Sequence, residues 1–235
     1  MIQLEIACNS WNACMNAEAG GADRIELFEN LPDGGCTPSA GIIILSTMLS
    51  IPVYVMIRPR GGDFCYTRDE IEIMKTDIDV CRTAGVKGIV FGCLTADGQV
   101  DKEICRELLK HWGGPATFHR AIDECLDLRT AFETVISLGF ERILSSGGAP
   151  TAEAGIETLR QLQAEFGHAI KIMPGSGIHT FNAQTIINTT GCTEIHATCK
   201  VEVPSQTRNT RGLFNTRTES SLDLIKALKA RISAL

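Results

Sequence analysis

The chain of 235 residues lacks the features that mark membrane and secreted proteins. Its longest apolar runs, such as Ile42 to Leu45 and Val53 to Ile57, are far shorter than the roughly 20 residues of a membrane-spanning helix. The first residues contain no basic segment followed by an apolar stretch, so no secretion signal is expected. The sequence therefore predicts a cytoplasmic protein with no membrane partner.

Clustered positive charge and paired cysteine motifs are also missing. The net charge is −6, and nucleic-acid binding is not expected because it requires clusters of Lys and Arg. No CxxC pair occurs, which favours reduced thiols over a disulfide framework in an intracellular chain. The ten cysteines are scattered at positions 8, 14, 36, 65, 81, 93, 105, 125, 192 and 199.

Short apolar segments alternate with helical patterns along the whole chain, which is typical of repeated βα units. We predict eight strands, at Ile2 to Ala7, Arg24 to Leu27, Val53 to Ile57, Gly88 to Phe91, Ala116 to His119, Arg142 to Leu144, Ile170 to Met173, and Glu194 to Ala197. The alternation predicts an α/β fold, a single TIM (β/α)₈ barrel domain over residues 1–235. A doubly wound open sheet is the alternative, which the absence of GxGxxG after the first strand disfavours.

Reactive groups of such barrels come from the carboxyl ends of the strands and the loops that follow. Carboxylates and imidazoles at these ends could move protons, and buried carboxylates there would need cationic partners. An ion-pair network that only holds the barrel together is the alternative for the same residues. The hypothetical catalytic residues are Glu5, Glu26, His119 and His196.

Two glycine-rich loops favour an anionic ligand at the same end of the barrel. Met173 to Ile178 follows the seventh strand, and its glycines can expose backbone amides at the phosphate position common in these barrels. A tight turn without a ligand is the alternative, although Gly147 and Gly148 add a second amide-rich loop. The predicted substrate-binding or anion-binding residues are Arg58, Arg60, Asp63, Arg120, Ser146, Gly175 and Gly177.

Sulfur ligands would indicate Cu(I), because thiolates are the soft donors that select this ion. Cys14, Cys81 and Cys105 fall in helical patterns, where a free thiol usually behaves as a small hydrophobe, whereas Cys8, Cys93 and Cys199 lie just beyond strand ends. Cys8, which follows the first strand, is the candidate metal ligand, with a buried hydrophobic role as its alternative.

Several sequence blocks resemble the CutC family, and the chain is identified as a member of it. The most specific are Asn16 to Leu27, Ile51 to Phe64, Thr117 to Ala121, and Glu194 to Ala197. The resemblance implies a TIM barrel, a cytoplasmic location, a homodimer, and a role in copper homeostasis with copper as a possible cofactor.

Two family cysteines are replaced here, by Ala7 and Phe28. The resemblance implies that those cysteines are the natural Cu(I) ligands. Cys8 stands one residue away on a strand, where the side chain faces the opposite side, so we do not expect it to substitute. Two functions remain open: a copper homeostasis protein that binds copper, or a barrel enzyme of unknown reaction acting on a small anionic or phosphorylated metabolite.

Overall fold

Eight parallel strands curl into a barrel in the computed structural model, which describes residues 2–207 and 216–234. Strands adjacent in the chain pair with each other, and β1 also pairs with β8. At the remaining seam β7 and β8 are neighbours, since a Cβ built on Gly175 would lie 3.4 Å from Cβ of His196. The predicted α/β barrel is confirmed. Its strands are β1 Gln3–Cys8, β2 Arg24–Leu27, β3 Val53–Met56, β4 Gly88–Phe91, β5 Ala116–Phe118, β6 Arg142–Ser145, β7 Lys171–Pro174 and β8 Glu194–Ala197.

Helices cover the outside of the barrel. The best-defined start is that of α3, where Thr67 and Glu70 form a reciprocal capping box. Within the described ranges, none of the helices combines the length and apolar character needed to cross a bilayer. The helices are α1 Trp11–Ala19, α2 Ala40–Ser46, α3 Arg68–Ala84, α4 Lys102–Trp112, α5 Leu128–Leu138, α6 Ile156–Phe166, α7 Ala183–Thr190 and α8 Leu222–Ser233.

Several strand ends differ from the predicted ones by one residue. β1 continues to Cys8 because its ladder with β2 extends to the pair Cys8 and Leu27. β5 stops before His119, where the chain enters a short 3₁₀ turn. Apolar pattern alone does not specify where backbone pairing stops, so differences of this size are expected.

A hairpin that the strand pattern did not predict follows β8. It consists of β9 Lys200–Pro204 and β10 Thr216–Ser220, which pair in antiparallel fashion. The Ser220 hydroxyl donates to the Ala7 carbonyl at 3.1 Å, and the Asn9 amide donates to the Thr218 carbonyl at 3.2 Å. These bonds hold the hairpin against the carboxyl end of β1.

The two faces of the barrel wall differ in chemistry. Leu4 and Ile6 belong to the main apolar core with the helices, whereas the intervening Glu5 belongs to a buried ionic network. Arg24 pairs with Glu5, and its Nη2 lies 2.7 Å from Glu194 Oε2. Arg142 Nε lies 2.8 Å from the same Glu194 oxygen. Charges from β1, β2, β6 and β8 are thus joined inside the barrel.

Replacing Arg24 with Met should destabilise the fold, because Glu5 and Glu194 would both lose a buried cationic partner. Removing one partner of a buried ion pair typically costs about 3–5 kcal/mol. Chemical denaturation gives the free energy of unfolding directly. The matched control is Arg160→Met, which removes an exposed partner of Glu157 and should leave the melting temperature unchanged. Equal stability of Arg24→Met and wild type would contradict a structural role for this network.

Candidate functional site

A cavity of about 440 Å³ opens at the carboxyl ends of the strands, and we call it the pocket. Its wall combines strand ends with the loops that follow, as in other barrels of this architecture. The lining residues are Ala7, Glu26, Phe28, Leu31, Asp33, Gly34, Met56, Arg58, Phe64, His119, Arg120, Glu124, Leu144, Ser176, Gly177, Ile178, His196, Ala197, Thr198 and Lys200.

The structure brings together about half of the residues predicted from sequence. Six of them line the pocket: Glu26, Arg58, His119, Arg120, Gly177 and His196. Glu5 lies behind the wall in contact with His196, and Gly175 packs beside the same imidazole. The others, Cys8, Arg60, Asp63 and Ser146, are not part of the wall.

Glu5, Glu26 and His196 form a buried cluster at the base of the pocket. His196 Nδ1 lies 2.7 Å from Glu5 Oε1 and 3.3 Å from Glu26 Oε2. Burial would raise the pKa of Glu5, but Arg24 and His196 outweigh it and lower that pKa to about 2. Burial raises the pKa of Glu26 to about 7, because His196 and Arg24 compensate its charge only in part and Glu5 repels it. For His196, the two carboxylates overcome burial and raise its pKa.

Donor atoms of these three residues lie within 4.8 Å of one another, a spacing that one cation could bridge. The protein itself already supplies positive charge to the two carboxylates. Arg24 pairs with Glu5, and the Nδ1 atom of His196 contacts both Glu5 and Glu26. A cation would have to displace these contacts. The two carboxyl groups and the imidazole therefore form a hydrogen-bonded cluster that can share protons.

His119 occupies the end of β5 and faces the pocket. Its Nδ1 accepts a hydrogen bond of 3.2 Å from the Ala121 amide, which caps the following turn. Its ring lies 4.9 Å from that of Phe64, and Gly92 leaves room for it, since a Cβ there would be 2.8 Å from Nδ1. Burial and the neighbouring Arg58 and Arg120 lower the pKa of His119 to about 3, so the imidazole is neutral.

Arg58 connects two loops through hydrogen bonds of its guanidinium. Its guanidinium donates to the carbonyls of Asp33, Gly35 and Gly62 at 2.7, 2.8 and 2.6 Å. Arg60, by contrast, pairs with Glu70 and with Asp63 at the surface. The Ile-Arg-Pro-Arg-Gly-Gly-Asp segment therefore builds the wall of the pocket, with only Arg58 reaching its interior.

The amide-rich loop after β6 already holds an anion, which belongs to the protein itself. The Asp123 carboxylate accepts hydrogen bonds from the Ser146 amide at 3.0 Å and the Gly148 amide at 3.0 Å. It also accepts from the Ser145 hydroxyl at 2.6 Å and pairs with Arg120 at 3.0 Å. Ser146 and the Gly147–Gly148 turn are thus committed to an internal contact.

The loop after β7 differs, because it carries free amides. Ser176 and Gly177 have φ angles of +78° and +73°, and both line the pocket together with Ile178. In the part of the chain that the structure describes, the amides of these three residues have no acceptor. This loop can therefore accept an oxyanion from the pocket.

None of the ten cysteines lines the pocket, and among the described residues the one sulfur atom in its wall is the thioether of Met56. Ala7 and Phe28 line it and pack in one small apolar cluster. Cys8 is fully buried in the main core on the other side of the barrel wall, where burial raises the pKa of its thiol. All ten cysteines are free. The alternation of side chains along β1 accounts for the position of Cys8.

Sequence reasoning missed several residues of this site. The sequence pattern places Arg24, Arg142 and Glu194 simply within strands, although they form the ionic layer beneath the pocket. Charged residues at strand starts in otherwise apolar segments are the signal that could have found them. Lys200 was missed because it belongs to the unpredicted hairpin.

The closed parallel sheet, with its pocket at the carboxyl ends of the strands, places the chain in the TIM-barrel class. Phosphoribosyl anthranilate isomerase from Thermococcus kodakaraensis superposes with a TM-score of 0.63 at 13% identity, covering 99% of each chain. That likeness concerns the fold alone. The chain belongs to the CutC family, whose sequence model matches residues 2–201.

Similar proteins of the family include a CutC family protein of Porphyromonas gingivalis, 41% identical over 96% of each chain. The human copper homeostasis protein cutC homolog is 45% identical over 84% of this chain and 73% of its own length. The crystal structure of a CutC protein of Streptococcus agalactiae superposes with a TM-score of 0.80 at 33% identity, covering 83% of this chain and 98% of that one.

The raised pKa of Glu26 predicts a specific pH dependence of stability. The pKa of Glu26 is about 7 in the folded protein and 4.5 in an ordinary environment, so the folded state holds the Glu26 proton more tightly. This difference stabilises the fold fully below about pH 4.5, and the stabilisation is lost as the pH rises through 7. The raised pKa of His196 acts in the same direction. The Glu26→Gln variant, which cannot ionise there, should therefore gain stability relative to wild type between pH 5 and 8.

Urea denaturation at four pH values over this range measures the difference. The matched control is Asn188→Gln on the exposed face of α7, which removes no ionisable group, so the difference from wild type should not depend on pH. A constant difference for Glu26→Gln would be inconsistent with a raised pKa at this residue.

Proposed function

We propose that this chain serves copper homeostasis in the cytoplasm, and that its pocket binds a small ligand through nitrogen and oxygen groups. The first part is supported by the name of the human relative, which is 45% identical over 84% of this chain. The second is supported by the lining of the pocket, which contains carboxylates, imidazoles and basic side chains but no cysteine. The family resemblance also supports a homodimer as the working assembly.

Thiolate ligation of copper does not fit the residues of this pocket. Cu(I) selects soft sulfur ligands, and the family positions for such ligands hold Ala7 and Phe28. The Cys8 side chain lies on the opposite side of the barrel wall from the pocket. Burial also raises the pKa of its thiol, which disfavours the thiolate that would bind copper. No step of the proposed function therefore passes through a thiolate-bound copper ion.

Binding of a small anionic metabolite is the second candidate, and one observation favours it. Free amides of Ser176, Gly177 and Ile178 meet the basic side chains of Lys200 and Arg120 around one cavity. Cavities of several hundred Å³ with a few convergent polar groups are typical of sites for small molecules.

The copper part of the proposal predicts weak or no stoichiometric Cu(I) binding by the wild-type chain. The measurement is an anaerobic titration with Cu(I) against a competing chelator. The double variant Ala7→Cys and Phe28→Cys, which restores the family pair on neighbouring pocket positions, should gain binding at one equivalent. Cys8→Ser should behave as wild type. Tight one-to-one binding by wild type that Cys8→Ser abolishes would overturn the proposal.

A further inference from the structure

Three ionisable groups in the pocket wall carry a buried atom without a hydrogen-bond partner among the described residues. These atoms are Glu26 Oε1, His119 Nε2 and Arg58 Nε. Arg58 donates to three loop carbonyls through its other two nitrogens, which leaves Glu26 and His119 as the acid–base groups of the three. Leaving such an atom unpaired costs about 1–3 kcal/mol, so native structures keep few of them. Glu26 and His119 line the same cavity, so a bound molecule that reaches these covered atoms would satisfy both.

The free atom of His119 is a hydrogen-bond donor. Its Nδ1 accepts the Ala121 amide, so the single proton of the neutral ring is on Nε2. Phe64 packs against the ring, and the caps of the following turn fix its orientation. A fixed donor in a site with little water is suited to an oxygen atom on which negative charge develops.

The free atom of Glu26 belongs to a carboxyl group that is poised between its two forms. Its other oxygen lies 3.3 Å from His196 Nδ1, and the charged groups around it are Glu5, Arg24 and His196. The pKa of about 7 means that both forms are populated near neutral pH. A carboxyl group of this kind can both remove and return a proton.

We propose that the pocket is a proton-transfer site for a small carbonyl compound that carries an anionic group. Glu26 removes the proton from the carbon next to the carbonyl. The electron pair of that C–H bond forms a C=C bond, and the π pair of the carbonyl moves to its oxygen, which accepts the hydrogen bond from His119 Nε2. Glu26 then returns the proton to the same carbon, and the electron pair on the oxygen re-forms the carbonyl. Where that carbon carries a hydroxyl, the hydroxyl proton moves to the enolate oxygen instead, Glu26 protonates the former carbonyl carbon, and the new carbonyl forms at the hydroxyl carbon.

This reaction needs neither an oxidant nor a second reactant, and it goes beyond the copper role proposed above. The free amides of Ser176 to Ile178 and the Lys200 side chain supply the place for the anionic group. That group can be a phosphate ester or a carboxylate, since both are oxyanions. The failure of copper binding would not affect this proposal, because no copper takes part in it.

The first test uses glycolohydroxamate and its phosphate ester, which mimic the enolate form of a hydroxy-carbonyl compound. Calorimetry should detect binding of the phosphate ester to wild type, at least tenfold tighter than binding of the unphosphorylated compound. His119→Asn keeps an acceptor for the Ala121 amide but removes the Nε2 donor, so affinity should fall at least tenfold. His119→Gln places an amide N–H near the Nε2 position and should recover part of it.

The control is His168→Gln, an exposed histidine in the turn that follows α6, which should bind as wild type does. Thermal melts establish that each variant folds, and if His119→Asn does not, the comparison of His119→Gln with wild type decides. Equal affinity of the His119 variants and wild type, or no binding of either compound, overturns the ligand assignment.

The second test addresses the proton transfer itself. Dihydroxyacetone phosphate and dihydroxyacetone are incubated in D₂O with the protein, and loss of the C–H signal is followed by proton NMR. Wild type should accelerate exchange of the phosphorylated probe at least tenfold over Glu26→Gln purified in the same way. Equal rates for the two proteins overturn the role of Glu26, even if the hydroxamate binds.

Discussion

Glu194 bridges Arg24 and Arg142 in the interior of the barrel, and the properties of the pocket depend on this bridge. Arg24 also pairs with Glu5 and, together with His196, lowers the pKa of Glu5 to about 2, so Glu5 is ionised. Glu5 in turn binds the imidazole of His196, and Glu26 is left with a contact to the same nitrogen and no cation of its own. Burial is the main cause of the near-neutral pKa of Glu26, and the repulsion from ionised Glu5 adds to it.

An ionic interior has a cost that the apolar outer layer must offset. Buried ion pairs contribute little net stability compared with apolar packing of the same volume. Residues such as Leu4, Ile6 and Ile25 supply that packing between strands and helices. Tyr54 adds a further contact inside, because its ring lies 5.3 Å from the guanidinium of Arg24 and 5.2 Å from that of Arg142. Together these contacts hold the charged side chains of β1, β2, β6 and β8 in place beneath the pocket.

Local pattern in the sequence was enough to predict the eight strands, and the alternation along β1 was enough to predict which way Cys8 faces. Glu26 and His119 could be placed at the pocket because they interrupt or end apolar strands. The positions of Arg24 and Arg142 at strand starts mark them as candidates for buried charges, but their partners could not be predicted, since closure of the barrel brings distant strands together. The same limit applies to Asp123, which fills the amide loop after β6 from a turn that follows a different strand.

The hairpin after β8 divides the pocket into a fixed part and an adaptable part. Strand ends such as Glu26 and His196 cannot vary without disturbing the charges beneath them, whereas Lys200 belongs to a ribbon attached by the bonds of Ser220 and Asn9. The CutC family match ends at residue 201, just where this ribbon begins. Substitutions in the hairpin would therefore change the entrance to the pocket while leaving the buried charges beneath Glu26 and His196 in place.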